Sequence, residues 1–506
     1  MPAFANDVDV TVVGSGLAAL TTAALAAHQG ARVALFEQGG QPGGYAHSFT
    51  RGQYHFDPAV HLLGDPPLFE GVLSLLGVAD RVEMLPVDRF YRLQVEDLEF
   101  DAPVGRGAFV DALSEAFPHE RDGIRRFMEL CGKVHAQAHD LPPRLGLDQL
   151  DEAARRFPEL FAWRKATIKQ ALDAHLTDAR LRAAISTTWN YLGVPPSQAS
   201  FLTFAQLTCV HLDGVFAYRG GTQSLIDALV AAIELHGGTL HLNAPVQRIV
   251  MEDGRASGVE LEDGSVVRSR LVVSGADPFQ TFEQLVGEQH VPAPFLRKLR
   301  KLRPSSSAFC LFAATTTDIS QYNPPHQIFS FSSMDYDRVH AETKLGRLGT
   351  RCITPSSVLD PSAGPEGEWV VSANANAPFD IGRNWREYKL ECQEALIDVV
   401  DAALPGFKEG LTYVESATPL TMQAYSRNVG GAIHSFEQTP DQIETKRPPQ
   451  QTPVPGLLMS SQWTSTGGSA LRSFVAGIAA SKLVLGGLGM ADELPDFRSV
   501  PKLLEV

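Results

Sequence analysis

The stretch Asp7–Gly44, DVDVTVVGSGLAALTTAALAAHQGARVALFEQGGQPGG, decides the fold. Val8, Val10, Val12 and Val13 make a short β-branched run that reads as a buried strand. It runs directly into Gly14-Ser15-Gly16-Leu17-Ala18-Ala19, a G-x-G-x-x-A turn. Gly14 permits the tight turn, Gly16 lets backbone approach a pyrophosphate, and Ala19 keeps the following helix close to the strand. Leu17, Leu20, Ala24 and Ala27 fall on one helical face, and Gly30 supplies the stop. A second strand over 32–36 ends at Glu37, where an acid meets a ribose hydroxyl, with Gln38 beside it. The helix N-terminus offers N–H groups and the positive end of its dipole to phosphates. Strand, glycines, helix, strand and acid in one register predict dinucleotide binding.

The bulk numbers bound what surrounds this unit. At 506 residues the chain has room for two or three domains. Its 44% hydrophobic and 20% charged content is that of an ordinary globular protein. A net charge of −15 argues against a broad nucleic-acid footprint. Five cysteines lie scattered with no CxxC pair, which argues against a disulfide scaffold or zinc site and fits a reducing cytoplasm. The opening MPAFANDVDV shows no basic segment followed by an apolar one, so no secretory signal is expected. No run reaches the ~20 uninterrupted apolar residues of a spanning helix. The closest, Phe474–Met490, carries Lys482 and four glycines and reads as a buried helix and its exit.

Downstream, leucine-rich helical patterns recur over 68–76, 108–117, 124–135 and 147–161, broken at Pro142-Pro143 and Pro195-Pro196. Residues 68–215 therefore read as a helical insertion. Its aromatics (Phe157, Phe161, Trp163, Trp189, Tyr191, Phe201, Phe204) suit either an apolar tunnel or ordinary core. Arg219-Gly220-Gly221-Thr222 opens a helix over 223–235, closed by Gly237-Gly238. A strand at 239–242 and a meander turning at Asp253-Gly254 and Asp263-Gly264 follow, with a buried strand at 271–273. The basic run Arg297, Lys298, Arg300, Lys301 and Arg303 alternates with Phe295, Leu296, Leu299 and Leu302. It suits a solvated helix face or contact with anionic lipid. Residues 305–415 alternate strand-like and loop-like segments, with a helix over 388–404 and no chemical motif.

Four further pieces carry a resemblance. Gly43-Gly44 follows Glu37; then come Tyr45-Ala46-His47-Ser48-Phe49, Phe56-Asp57 and His61-Leu62-Leu63-Gly64. Ser274-Gly275-Ala276-Asp277 ends the middle strand. Leu457 to Trp463 leads into Gly467-Gly468-Ser469-Ala470-Leu471 and a helix over 473–485. Together with the first glycine turn these resemble the FAD-binding amine-oxidase superfamily. The stretch from Gly43 to Gly64 looks most like retinol saturases, which group with carotenoid isomerases and bacterial phytoene desaturases. The resemblance covers the cofactor framework well and the rest of the chain poorly.

That resemblance implies an α/β, Rossmann-like two-dinucleotide-binding-domain FAD fold with an inserted mixed α+β substrate domain. Residues 1–67, 216–290 and 416–506 would bind FAD, and 68–215 with 291–415 would form the substrate domain. Val246 would lay backbone against the adenine. Gly275, Ala276, Gln462, Gly468, Ser469 and Ala470 would join Gly14, Ser15, Gly16, Leu17, Ala18, Ala19, Glu37, Gln38, Gly43 and Gly44 around the cofactor. The family often carries an acid at the end of its last strand, where this chain has Gln462-Trp463. His61, Tyr45 and Trp463 would be flavin-side neighbours and candidate catalytic residues, with His47 nearby. His47 and His61 read equally well as satisfied, partly buried histidines.

No Ser-His-Asp or Cys-His signature is present, nor HExxH, CxxC or an EF-hand pattern, so no metal is expected. The hard chemistry would belong to the flavin. The resemblance implies action on an apolar polyene or isoprenoid by desaturation, saturation or cis–trans isomerisation. An unknown electron partner and peripheral membrane contact from the cytoplasm go with it. Two alternatives remain at this point: an amine-oxidase-like enzyme working on a C–N bond, and a non-catalytic prenyl-lipid-binding protein like Rab GDP-dissociation inhibitors.

Overall fold

The computed structural model describes residues 7–142 and 147–497. Met1–Asn6, part of the segment read for a signal, and Pro143 of the first proline break lie outside the described residues. Asp7–Val13 is a central strand of a seven-stranded sheet. Val10, Thr11 and Val12 are fully buried, as a strand covered on both faces requires. Val33–Phe36 and then Thr239–His241 extend the sheet in parallel on one side. Val266–Ser274 lies parallel on the other. This strand runs well past the expected 271–273, and the extra length gives it two partners on one edge. Arg255–Leu261 pairs antiparallel with its start, and Leu457–Met459 pairs parallel with its end. The last strand of the sheet thus comes from residues nearly two hundred positions further along the chain.

The fingerprint helix, Leu17–His28, is buried from Leu17 to Ala27, on all faces rather than the one face read from the sequence. It is covered by the sheet, by the Gln223–Leu235 helix and by the C-terminal helix, Ala470–Leu488. Alanines and threonines make so close a crossing possible. At Gly477 a Cβ would lie 2.4 Å from Thr21 Cβ and 2.7 Å from the Ala18 carbonyl oxygen. Thr22 Oγ1 donates to Gly477 O at 3.1 Å across the same contact. Ala470–Leu488 is long and apolar enough to cross a membrane by length and composition, yet it serves here as a core helix, 56% buried over its apolar window.

A second seven-stranded sheet runs in the order 411–417, 307–315, 369–377, 350–354, 328–331, 89–95, 98–103. Its last two strands, Arg89–Val95 and Leu98–Pro103, correct the reading of 68–215 as purely helical. Val215–Tyr218 also pairs antiparallel with Leu63–Gly64 and with Met84–Val87, in a three-stranded sheet. The helical pattern over 147–161 is broken in two, Leu150–Arg156 and Pro158–Trp163. Pro158 has no N–H to continue the first helix, so it starts a new one.

The basic run is also reshaped. Its helix spans only Ala293–Leu299, with Leu296 and Leu299 buried. Arg300 bonds Glu283 at 2.8 Å and Glu288 at 2.6 Å, and Arg303 bonds Glu437 and Asp441. Two of the five cations are therefore neutralised within the chain.

Candidate functional site

The parallel strands Asp7–Val13, Val33–Phe36 and Leu457–Met459 end at one cavity of about 310 Å³. This is where open α/β sheets bind ligands. The structure brings to it Gly14, Ser15, Gly16, Leu17 and Ala18 from the first turn, and Glu37 and Gln38 from the second strand. Gly43, Gly44, Tyr45, His61, Val246, Gly275 and Ala276 join them, with Gln462, Trp463, Gly468, Ser469 and Ala470. Ala19 lies behind the wall instead. A Cβ on Gly275 would come within 2.8 Å of Ala19 Cβ and 2.9 Å of the Val13 carbonyl oxygen. Ala19 and Gly275 set how closely helix and strands approach.

Glu37 fastens the turn. Its Oε2 accepts from Ser15 N at 2.9 Å and from Ser15 Oγ at 2.6 Å, and its Oε1 accepts from Gly39 N at 2.8 Å. Each carboxylate oxygen has further lone-pair capacity for a sugar hydroxyl. Gly43 N donates to Ser15 O at 3.0 Å, which draws the second glycine pair against the first. The fingerprint helix starts at Gly16 with no side-chain cap. Its first N–H groups are thus left to a ligand, and an anion fits there. Uncapped donors, an acid one strand away and glycine backbone between them suit a dinucleotide with its phosphates and ribose.

His61 is 8% exposed. Its Nε2 lies 3.4 Å from Asn374 Nδ2, and His326 Nε2 donates to its carbonyl oxygen at 3.1 Å. With the amide donating to Nε2, the ring proton sits on Nδ1, which has no partner among the described residues. Burial, and after it the nearby His326, pushes the His61 pKa down to about 3. The ring is held neutral near pH 7, with Nδ1–H left as a hydrogen-bond donor.

The other expected flavin neighbours present surfaces rather than free polar atoms. Tyr45 donates its hydroxyl to Gly431 O at 3.1 Å and meets Ser426 Oγ at 3.0 Å; burial pushes its pKa up to about 12. Trp463 donates Nε1–H to Asn428 Oδ1 at 3.1 Å, its ring set edge-on to Phe436 at 4.8 Å. His47 does not line the cavity; it bonds the Gly44 carbonyl. Asp57, from the Phe-Asp pair, accepts from Ser48 Oγ and from Thr222 N at 3.1 Å. It joins the His-Ser-Phe segment to the 219–222 turn. Burial raises its pKa to about 6.

Residues the sequence reading missed line the cavity too. The strand Trp369–Ala377 reads WVVSANANA. Ala373 and Ala377 pack towards the Trp385–Ala403 helix, while Asn374 and Asn376 line the cavity beside Ala308, Cys310 and Cys352. Asn376 Nδ2 donates to Asn190 Oδ1 at 2.7 Å, and the Tyr191 hydroxyl donates to Gln327. The signal was there as the period-two alternation Ser-Ala-Asn-Ala-Asn-Ala. Of the aromatics offered as tunnel lining, only Tyr191 reaches this cavity; Phe157, Phe201 and Phe204 are core.

A mainly parallel sheet with a dinucleotide cradle, facing a second sheet across a shared cavity, defines a dinucleotide-binding α/β fold with a second domain over its site. The chain belongs to the flavin containing amine oxidoreductase family, which matches residues 15–485, among its phytoene desaturase-like and retinol saturase-like flavoproteins. It is 27% identical over 433 residues to the lycopene-forming phytoene desaturase of Pseudescherichia vulneris, covering 81% of this chain and 85% of that one. It is 24% identical over 501 residues to the all-trans-retinol 13,14-reductase of Macaca fascicularis, covering 90% and 82%. Cyclohexylamine oxidase from Brevibacterium oxydans has the same fold, with a TM-score of 0.63 at 16% identity over 96% of this chain and 100% of that one. The protein is an FAD-dependent oxidoreductase. The non-catalytic lipid-carrier alternative is set aside.

Proposed function

We propose that this enzyme acts on carbon–carbon double bonds of an apolar polyene or isoprenoid, by desaturation, saturation or isomerisation. The observation that carries this reading is where charge lies in the cavity. Among its described lining residues, Glu37 and Arg427 are the ordinarily charged ones. Both belong to the dinucleotide end, because Gln38 Nε2 donates to Tyr425 O at 3.3 Å and holds the 425–427 turn beside Glu37. Away from it stand Leu62, Leu207, Cys310, Met422 and Ile433, with amides between them. His211 and His434 are pushed by burial to pKa values of about 4 and are neutral near pH 7. A cationic amine would lose its hydration here with no carboxylate to replace it. This favours a carbon-chain substrate over the amine-oxidase alternative.

When bound, FAD supplies the two-electron chemistry by taking or giving a hydride. The chain's own part is binding, orientation and exclusion of water. The first-turn N–H groups and Glu37 would hold phosphates and ribose. His61 Nδ1–H is a neutral donor in the wall, and the Ala308, Cys310 and Cys352 face gives a carbon chain a dry surface. We assign cofactor binding to 1–67, 216–290 and 416–506, and substrate binding to 68–215 and 291–415. A lipid-like substrate calls for a cytoplasmic enzyme in peripheral contact with a membrane, and five buried cysteines outside any disulfide accord with a reducing compartment.

The test is the flavin-loaded protein assayed on a panel of polyenes, with the flavin oxidised and with it reduced, beside a panel of amines. A change in polyene conjugation supports the proposal. Hydrogen peroxide from amines, with every polyene unchanged, overturns it.

A further inference from the structure

Across Asn376 from the first cavity lies a second, of about 230 Å³; Asn376 lines both. Trp189 lies in its wall, completely buried, and its Nε1–H has no acceptor among the described residues. An indole nitrogen only donates. His340, 9% exposed, and Ser306 line the same cavity, and His340 Nε2 and Ser306 Oγ are likewise buried without a partner among the described residues. The Trp189 and His340 rings meet edge to face at 6.5 Å. Buried polar atoms in folded proteins are nearly always paired. Three orphans lining one cavity therefore call for a partner that the described residues do not supply.

Electrostatics narrow what that partner is. Burial, and then the nearby Lys344 cation, push the His340 pKa down to about 4, so its ring is neutral near pH 7 and free to carry its proton on Nε2. Lys344 stands exposed at the rim. The Glu437 carboxylate, also in the lining, is engaged by Arg303 Nε at 2.8 Å. Among its described lining residues the site thus offers donors and the Lys344 cation, set among apolar walls from Pro304, Pro378 and Phe379.

We propose that this second cavity binds the carboxylate of a small apolar molecule. Its oxygens accept from Trp189 Nε1, Ser306 Oγ and His340 Nε2, and Lys344 supplies the countercharge. The inference stands apart from the choice of redox substrate, because none of these four residues lines the first cavity.

The test is calorimetric titration of the flavin-loaded enzyme with octanoate and, as the uncharged control, methyl octanoate. Octanoate is expected to bind at least ten times more tightly than its ester. Trp189→Phe keeps the buried ring and deletes the donor; it should weaken octanoate binding about tenfold and leave ester binding unchanged. Lys344→Gln, at an exposed position that spares the fold, should weaken octanoate about threefold and flatten its salt dependence. Both variants should keep the wild-type flavin spectrum. Equal affinity for acid and ester, or octanoate binding unaltered in Lys344→Gln, overturns the proposal and leaves a cavity filled by water.

Discussion

The Glu37 carboxylate takes three hydrogen bonds from the turn it faces, so removing it loosens the cradle as well as any ribose contact. Hydrogen bonds to a charged acceptor contribute about 1.5–3 kcal/mol each. Glu37→Gln should therefore weaken FAD binding at least tenfold, measured by equilibrium titration of the apoprotein, with far-ultraviolet circular dichroism unchanged. Wild-type affinity in that variant would place ribose recognition elsewhere. The buried histidines make a second prediction. His61 has a folded pKa of about 3, and His211, His326 and His434 of about 4, below the ordinary 6.5. Their unfolded forms bind more protons across that window, so their stabilisation is complete above pH 6.5 and lost as pH falls through about 4. Each contributes about 3–5 kcal/mol at most, His61 being at the upper end. Asp57 runs the other way: its contribution is present below pH 3.8 and lost as pH rises through about 6. Four groups outweigh one, so the thermal midpoint should fall between pH 7.5 and pH 5; a rise would mean these rings are not held neutral. Glu37 was legible in the sequence because its meaning lies in a short spacing from the glycines. Asn374 was not, because an asparagine in a buried strand acquires its meaning only from the sheet face opposite.

At the level of elements, the crossing between the fingerprint helix and the C-terminal helix has no room to spare at Gly477. Gly477→Val should push the helices apart, costing about 1–3 kcal/mol as overpacking does. Urea unfolding followed by flavin release should shift to lower denaturant; an unmoved midpoint would mean the crossing is slack. The strand–turn–helix–strand unit at 7–37 could be read directly because every interaction that defines it is local. Arg89–Val95 could not, since its parallel partner, Ile328–Phe331, lies more than two hundred residues away. Its alternation of buried and half-buried residues was present, yet leucine-rich helical patterns on either side concealed it. Pro158 was visible too, but its effect on the 147–161 helix went unread.

For the whole molecule, two large sheets share one cavity, and the most apolar long helix is used in packing. In a cell extract, alkaline carbonate should strip the protein from membranes; retention in the pellet would mean that Ala470–Leu488 leaves the core. Arg300 and Arg303 are ion-paired, so the proposed contact with anionic lipid would rest on Arg297, Lys298 and Lys301. Replacing these three by glutamate should lower flotation with phosphatidylserine vesicles several-fold at low salt. Equal flotation of the variant would count against membrane contact through this stretch. The two-sheet plan followed from recognising the cofactor framework. The wall of the shared cavity away from the glycine turns did not, because it is drawn from the Asn190–Tyr191, Ala308–Cys310 and Asn374–Asn376 regions, which meet only after folding.

The Leu457–Met459 strand, pinned to the far end of Val266–Ser274, has a consequence for biosynthesis. A nascent chain that has emerged only as far as the middle strand carries the glycine turn but lacks a wall of the cofactor cavity. The fingerprint helix then has no C-terminal helix to cover it, and its alanine face stays open to water. Such long-range closure is slow and leaves apolar surface waiting. A complete flavin cavity thus has to wait until residues 457–488 have left the ribosome.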